Sequence, residues 1–203
     1  MSSAKDLPVW RSKCFDPNVT IIPSVTIFHI LTTSTVALLT KQFVKKTSMN
    51  PQAKLNQLAI TLPESPKALG LYKPVIVVGN LAHLSGHGPI GVDKKLITGR
   101  LGLDMDVQAG FDAARLTGLS MLATLQSHLG NLDKIKRLVK LVGLVRCTDD
   151  FDQQPAVING CSELFRDVFG EDAGVGARSA IGATSLPGKM AVEIEAIFEI
   201  TAP

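Results

Sequence analysis

Three charged side chains toward the C-terminal end are the strongest candidates for chemistry: Arg178, Glu193 and Glu195. An arginine presents a planar fork of N–H donors that matches a carboxylate through two parallel hydrogen bonds. A glutamate in a cleft can hold a water, and can move protons as that water adds to a carbon. Arg178 sits in the run Ala177-Arg178-Ser179-Ala180, whose small neighbours leave its head group accessible. Glu193 and Glu195 are two apart in an alternating stretch, so they project from the same side of a strand. The same charges also fit an ordinary solvated sheet face, and their spacing leaves both readings open.

The stretch from Gly174 to Ile200 must position them, and it reads as two strands and a turn. Ser179, Ile181 and Ala183 alternate with Arg178, Ala180 and Gly182. Farther on, Val192, Ile194, Ala196, Phe198 and Ile200 alternate with Glu193, Glu195, Ile197 and Glu199. Leu186-Pro187-Gly188-Lys189 has turn chemistry, because proline presets φ and glycine accepts a positive one. The expected element is a hairpin with Arg178 on one strand and the glutamates on the other.

Upstream, Gln52–Ala59 reads as a short helix, followed by a link punctuated by Pro63, Pro66 and Gly70. Tyr72 precedes a strand over Pro74–Gly79. Asn80 then allows a tight turn into Leu81–Ser85, which ends at Gly86-His87-Gly88-Pro89. Asp104 or Asp106 can cap the next helix, and Gly130 closes it. Between them Phe111, Ala114, Gly118, Met121, Leu122, Leu125 and Leu129 recur at helical spacing and form one apolar face. His128 suits that helix's C-terminal end. Ile135–Cys147 reads as a long central strand. Asp149, Asp150 and Asp152 are expected to open a second helix as caps rather than as metal ligands, with Pro155 in its first turn. Val157, Cys161, Leu164, Phe165 and Val168 mark that helix's buried side. The order ββαβαββ predicts an α+β fold, a mixed sheet with two helices on one face. P-loop and nucleophile-elbow motifs are absent, and the Gly86-His87-Gly88-Pro89-Ile90-Gly91 spacing lacks the helix that a dinucleotide-binding loop must open.

The run A-R-S-A, a short strand, L-P-x-x and V-E-I-E-A-I resembles the C-terminal signature of the RidA/YjgF family, reactive-intermediate deaminases also known as endoribonuclease L-PSP-like. The Tyr72, Gly79-Asn80 and Ser85-Gly86 spacing resembles the family's N-terminal pattern, and Asn159 in A-V-I-N-G matches its pocket asparagine. The resemblance covers roughly residues 70–200 and points to the family's longer YjgF-like branch. It implies a chorismate-mutase-like fold and a homotrimer with pockets between subunits. It also implies hydrolysis of 2-imino acids to 2-keto acids without a cofactor. In that frame Arg178 grips a substrate carboxylate, Glu193 faces the same pocket, and Tyr72, Ser85, Gly86, His87, Asn159 and Ala180 shape it. Two positions depart from the family pattern: His87 stands where glutamine is usual, and Ala180 where cysteine is frequent.

Composition bounds the rest. The chain has 203 residues, 45% of them hydrophobic and 19% charged, as expected for a folded protein. Three cysteines (Cys14, Cys147, Cys161) with no paired spacing favour free thiols in a reducing compartment, cytoplasmic or mitochondrial. Four histidines without an HExxH pattern give no zinc site. The net charge of +3 is uneven, since six of the 21 Lys/Arg but only two of the 18 Asp/Glu lie in residues 1–48. The remainder, 49–203, is nearly neutral and is expected to be the RidA/YjgF-like domain. That balance argues against a nucleic-acid partner. Lys134, Lys136, Arg137 and Lys140 form its only basic cluster and fit the exposed side of one strand. Residues 1–48 read as a targeting segment, a weak signal anchor or an upstream extension, and only residues 18–40 offer a membrane contact. Three functions follow in order: an imine deaminase, a carboxylate-metabolite-binding trimer without turnover, and an endoribonuclease.

Overall fold

The computed structural model describes residues 50–201. The expectations for residues 1–48 lie outside the described residues.

A short helix α1 (Pro51–Gln57) opens the described chain, with Asn50 accepting from the Ala53 N–H at its N-terminus. Strands β1 (Val75–Val78) and β2 (Leu81–His87) form a hairpin, and Gly79 takes the φ of 61° that its two-residue turn needs. Helix α2 (Val107–Leu129) follows, then β3 (Ile135–Arg146), helix α3 (Gln154–Phe169) and a single turn α4 (Glu171–Gly174). Strands β4 (Ala177–Ala183) and β5 (Val192–Ile200) complete the fold. The five-stranded sheet has the order β1-β2-β5-β3-β4.

This order overturns the expected C-terminal hairpin. Strand β4 pairs with β3 in parallel and does not touch β5, which lies between β2 and β3 and is antiparallel to both. The link from Thr184 to Ala191, with a 3-10 turn at Pro187–Lys189, carries the chain across the end of β3. Strand β5 is therefore the central strand, a place expected for β3. The reason lies in side chains: Val192, Ile194, Ala196, Phe198 and Ile200 are all buried, and only a strand with neighbours on both edges under two helices can cover so many.

Helix α2 begins where the sequence indicates. The Asp106 carboxylate accepts from the Ala109 N–H at 2.8 Å, and Gly130 ends the helix at a φ of 87°. Helix α3 begins differently. Gln153 stands at its N-cap without a side-chain cap, so Asp149, Asp150 and Asp152 do not cap it. Asp150 is instead tied to the Thr148 side chain, which holds its carboxyl below the usual range.

Both helices lie on one face of the sheet and on each other. A Cβ on Gly160 would overlap the Phe111 backbone, and one on Gly118 would crowd Cys161 and Leu164, so glycine sets the closeness of the crossing. Phe165 of α3 meets Phe198 of β5 edge to face, with ring centroids 5.4 Å apart. Among the described residues no helix covers the opposite face of the sheet. Register puts Val142, Leu144, Ile181, Ile197 and His83 on it, with Glu193, Glu195 and Glu199 among them.

The basic cluster is largely engaged at the edge of this face. Lys134 donates to the Leu129 carbonyl at the end of α2, Lys136 pairs with Glu199, and Arg137 pairs with Asp172.

Candidate functional site

An irregularity in β2 builds the first half of the site. Pairing with β5 slips between Leu84 and His87, so these two residues, three apart, both turn inward. Gly86 is left facing the helix-free side, directly against Glu193. A Cβ at Gly86 would overlap the Glu193 carboxylate, so the backbone approach requires glycine. Glu193 is half-buried there. Burial raises the pKa of its carboxyl above the ordinary 4.5, and the neighbouring charge of Glu195 adds to the rise.

Around this carboxylate lies a cavity of about 490 Å³, lined by Tyr72, Ser85, Gly86 and His87. Leu69, Ile90, Leu96 and Met190 give it an apolar wall. Tyr72 is about half exposed, and its hydroxyl accepts from the Leu69 N–H. The Ser85 hydroxyl donates to the Lys73 carbonyl at 2.7 Å, which ties β2 to the segment carrying Tyr72. His87 behaves unlike a ligand-facing loop residue. Its ring is buried, with Nδ1 2.7 Å from the Ser85 carbonyl and Nε2 2.9 Å from the Thr124 hydroxyl of α2. The carbonyl can only accept, so Nδ1 carries the proton. In the neutral ring Nε2 can only accept, and it competes for the one Thr124 hydroxyl proton with the Ser120 carbonyl, 3.1 Å from that hydroxyl. Burial lowers the pKa of His87 and outweighs the Ser85 bond, which raises it.

The second half of the site is on the other face. Arg178 stands on the edge strand β4, on the helix-bearing side. Its Nη1 donates to Asn159 Oδ1 at 2.7 Å and to Ser162 Oγ at 3.0 Å, both on α3. These three residues line a separate cavity of about 350 Å³ with Glu163, Arg166 and Glu171. Cys161, beneath them, is fully buried and its thiol is pushed far up by desolvation, with the Arg178 charge only partly opposing. Ala180 lines neither cavity and packs against the core from β4.

Within one chain the two halves do not meet. Arg178 pairs with Leu141 and Glu193 with Leu144, with β3 between them. Three residues along a strand and two strand spacings put their Cα atoms ~14 Å apart, on opposite faces. Among the described residues no group of three or more His, Cys, Asp or Glu is arranged to hold a metal.

The sequence reading missed Ser162 and Thr124. Ser162 is three residues after Asn159, one turn along the same helix face, and that spacing is its only signal. Thr124 had none, because a hydroxyl inside an apolar helix face looks like an ordinary core position.

Comparison with known proteins decides the family. A family model described as "YjgF/chorismate_mutase-like, putative endoribonuclease" matches residues 52–192, more than half of the chain. The chain belongs to the RidA/YjgF family. Protein TCP17 of Trypanosoma cruzi is 38% identical over 148 residues, covering 73% of this chain and 92% of the relative. Among solved structures, Agrobacterium tumefaciens Atu1372, of unknown function, is similar at 39% identity and a TM-score of 0.68, covering 75% of this chain and 94% of that one. A Shewanella oneidensis protein described as a "putative endoribonuclease" is similar at 30% identity and a TM-score of 0.71, covering 74% and 99%. The RidA/YjgF match takes in both half-sites up to Val192, and Glu193 is the next residue. The α+β chorismate-mutase-like fold expected from the sequence is the fold found.

Proposed function

We propose that this protein is a hydrolytic deaminase of reactive 2-imino acids such as 2-iminopropanoate, working as a homotrimer whose pockets join the two half-sites of neighbouring copies. The observation that carries this reading is Glu193: a half-buried carboxylate of raised pKa, pressed onto Gly86 at the wall of a cavity. Such a carboxylate holds a proton at higher pH than a solvated one and is suited to passing it on. Water held by Glu193 adds to the C=N carbon. One of its protons passes through Glu193 to the nitrogen, giving a carbinolamine. The remaining hydroxyl proton then passes to the same nitrogen as the C–N bond breaks, so that ammonia leaves and the C–O bond becomes the keto group. The guanidinium of Arg178, exposed at a sheet edge and steadied by α3, supplies the fork for the substrate carboxylate. The apolar residues on the helix-free face, Val142, Leu144, Ile181 and Ile197 among them, provide a surface for association. Assembly brings Arg178 of one copy to Glu193 of the next.

The test is hydrolysis of freshly generated 2-iminopropanoate, read as ammonia release, alongside calorimetric binding of pyruvate. Arg178→Lys should lose nearly as much as Arg178→Ala, because a point charge cannot fix a planar carboxylate at two places. An ångström of misplacement costs on the order of 100-fold. Glu193→Gln should keep pyruvate binding and slow turnover, since an amide holds water without shuttling its proton. An Arg178→Lys variant that binds and turns over like the wild type would refute the assignment.

A further inference from the structure

A guanidinium has five N–H donors in a rigid plane, and which edge meets a ligand depends on which donors are already taken. Two of the five are taken in Arg178. Nη1 carries two hydrogens and has two acceptors, Asn159 Oδ1 at 2.7 Å and Ser162 Oγ at 3.0 Å. Among the described residues no carboxylate stands within ion-pair distance of Arg178. The Nε–H and both Nη2 hydrogens are therefore left over.

We infer that Ser162 is a positioning residue that, with Asn159, saturates Nη1 and so commits Arg178 to meet a planar two-oxygen anion through its Nε–Nη2 edge. An end-on fork through Nη1 and Nη2 would have to break one of the two bonds to α3. The side-on edge presents two parallel donors with nothing displaced, which matches a carboxylate oxygen for oxygen. The device works because Asn159 and Ser162 are three apart on α3 and share a helix face, so their acceptors reach one nitrogen together. A single acceptor would leave the guanidinium free to pivot about one bond. Arg178 otherwise stands exposed on an edge strand, where a long side chain explores many rotamers.

This inference rests on Arg178 as the carboxylate grip, and the experiment separates the two. In the full-length protein, Ser162→Ala removes the acceptor, while Ser162→Thr retains a hydroxyl. Ser162→Ala should raise both the KM for 2-iminopropanoate and the Kd for pyruvate about tenfold while leaving kcat within about twofold, the effect of losing one hydrogen bond that orients the fork. Ser162→Thr should restore both constants to within about twofold. A general loss of fold would not give a selective rise in KM, nor rescue by threonine. Wild-type affinity in Ser162→Ala, with Arg178→Lys still impaired, would overturn the positioning role and leave the deaminase reading standing. Pyruvate binding without turnover in the wild type would sink the deaminase reading, and the pyruvate arm would still decide the role of Ser162. No pyruvate binding at all would overturn both.

Discussion

At the scale of single residues, the most informative group is Glu193, because its environment makes a signed forecast. Desolvation is the larger cause of its raised pKa and Glu195 the smaller. If ionised Glu193 must receive the water's proton, activity falls as pH drops through this raised pKa, so the acid limb of kcat/KM lies above 4.5. Glu195→Gln removes the repelling charge two residues away and should move that limb toward lower pH, with its plateau little changed. A pH–rate profile of the two proteins checks this, and an unmoved limb would mean that Glu193 does not govern it. The glutamate pair was legible in the sequence, since alternation alone places Glu193 and Glu195 on one side of a strand. The partner of Glu193 was only half legible. Gly86 was recognised as a pocket residue, but the β2 irregularity that turns it toward the carboxylate has no local sequence mark.

At the scale of elements, the ties between β2 and α2 and between α2 and α3 deserve separate tests. His87 joins the first pair through Thr124. Burial depresses its pKa below the ordinary 6.5, so the unfolded chain takes up a proton more readily than the folded one. The stability this neutral ring contributes is complete above pH 6.5 and is lost as pH falls through the depressed folded value. Thermal unfolding followed between neutral pH and the carboxylate range should show a loss in the wild type. His87→Gln, which can make similar hydrogen bonds without titrating, should flatten it. Identical profiles would place the acid sensitivity elsewhere. For the second pair, Gly160→Ala puts a methyl onto the Phe111 backbone and should cost ~1–3 kcal/mol, measured by denaturant unfolding. Gly130→Ala, strained only by its positive φ at the helix end, serves as a comparison without that overlap. The bodies of these elements were readable because helical and strand periodicities belong to one segment at a time. Pairing was not, because alternation in β4 says nothing about which strand lies beside it. A proline-glycine turn before β5 looks like a hairpin whether or not the strands it joins are neighbours.

At the scale of the whole molecule, the apolar face opposite the helices is the surface proposed for assembly. Ile181 is half exposed on that face, and an aspartate there should leave the chain folded yet prevent association. Light scattering on the full chain should find a trimer for the wild type and a monomer for Ile181→Asp, with hydrolysis lost in the monomer. A folded wild-type monomer with full activity would dismiss the shared pocket. A pocket shared between subunits was implied by the family resemblance alone. The sequence reading placed Arg178 and Glu193 on the two strands of one hairpin, whereas the structure sets a whole strand between them and puts the two on opposite faces.

The place of β5 in the sheet bears on how the chain comes into being. During synthesis β1, β2, β3 and β4 all emerge before the strand that joins the two pairs. Until residues 192–200 have been made, β2 and β3 each present an open edge, and the inward faces of both helices have only part of a floor. Chains interrupted at that stage carry unpaired strand edges, a ready template for aggregation. Formation of the native sheet therefore waits for the last of its five strands in chain order, the one that also delivers Glu193.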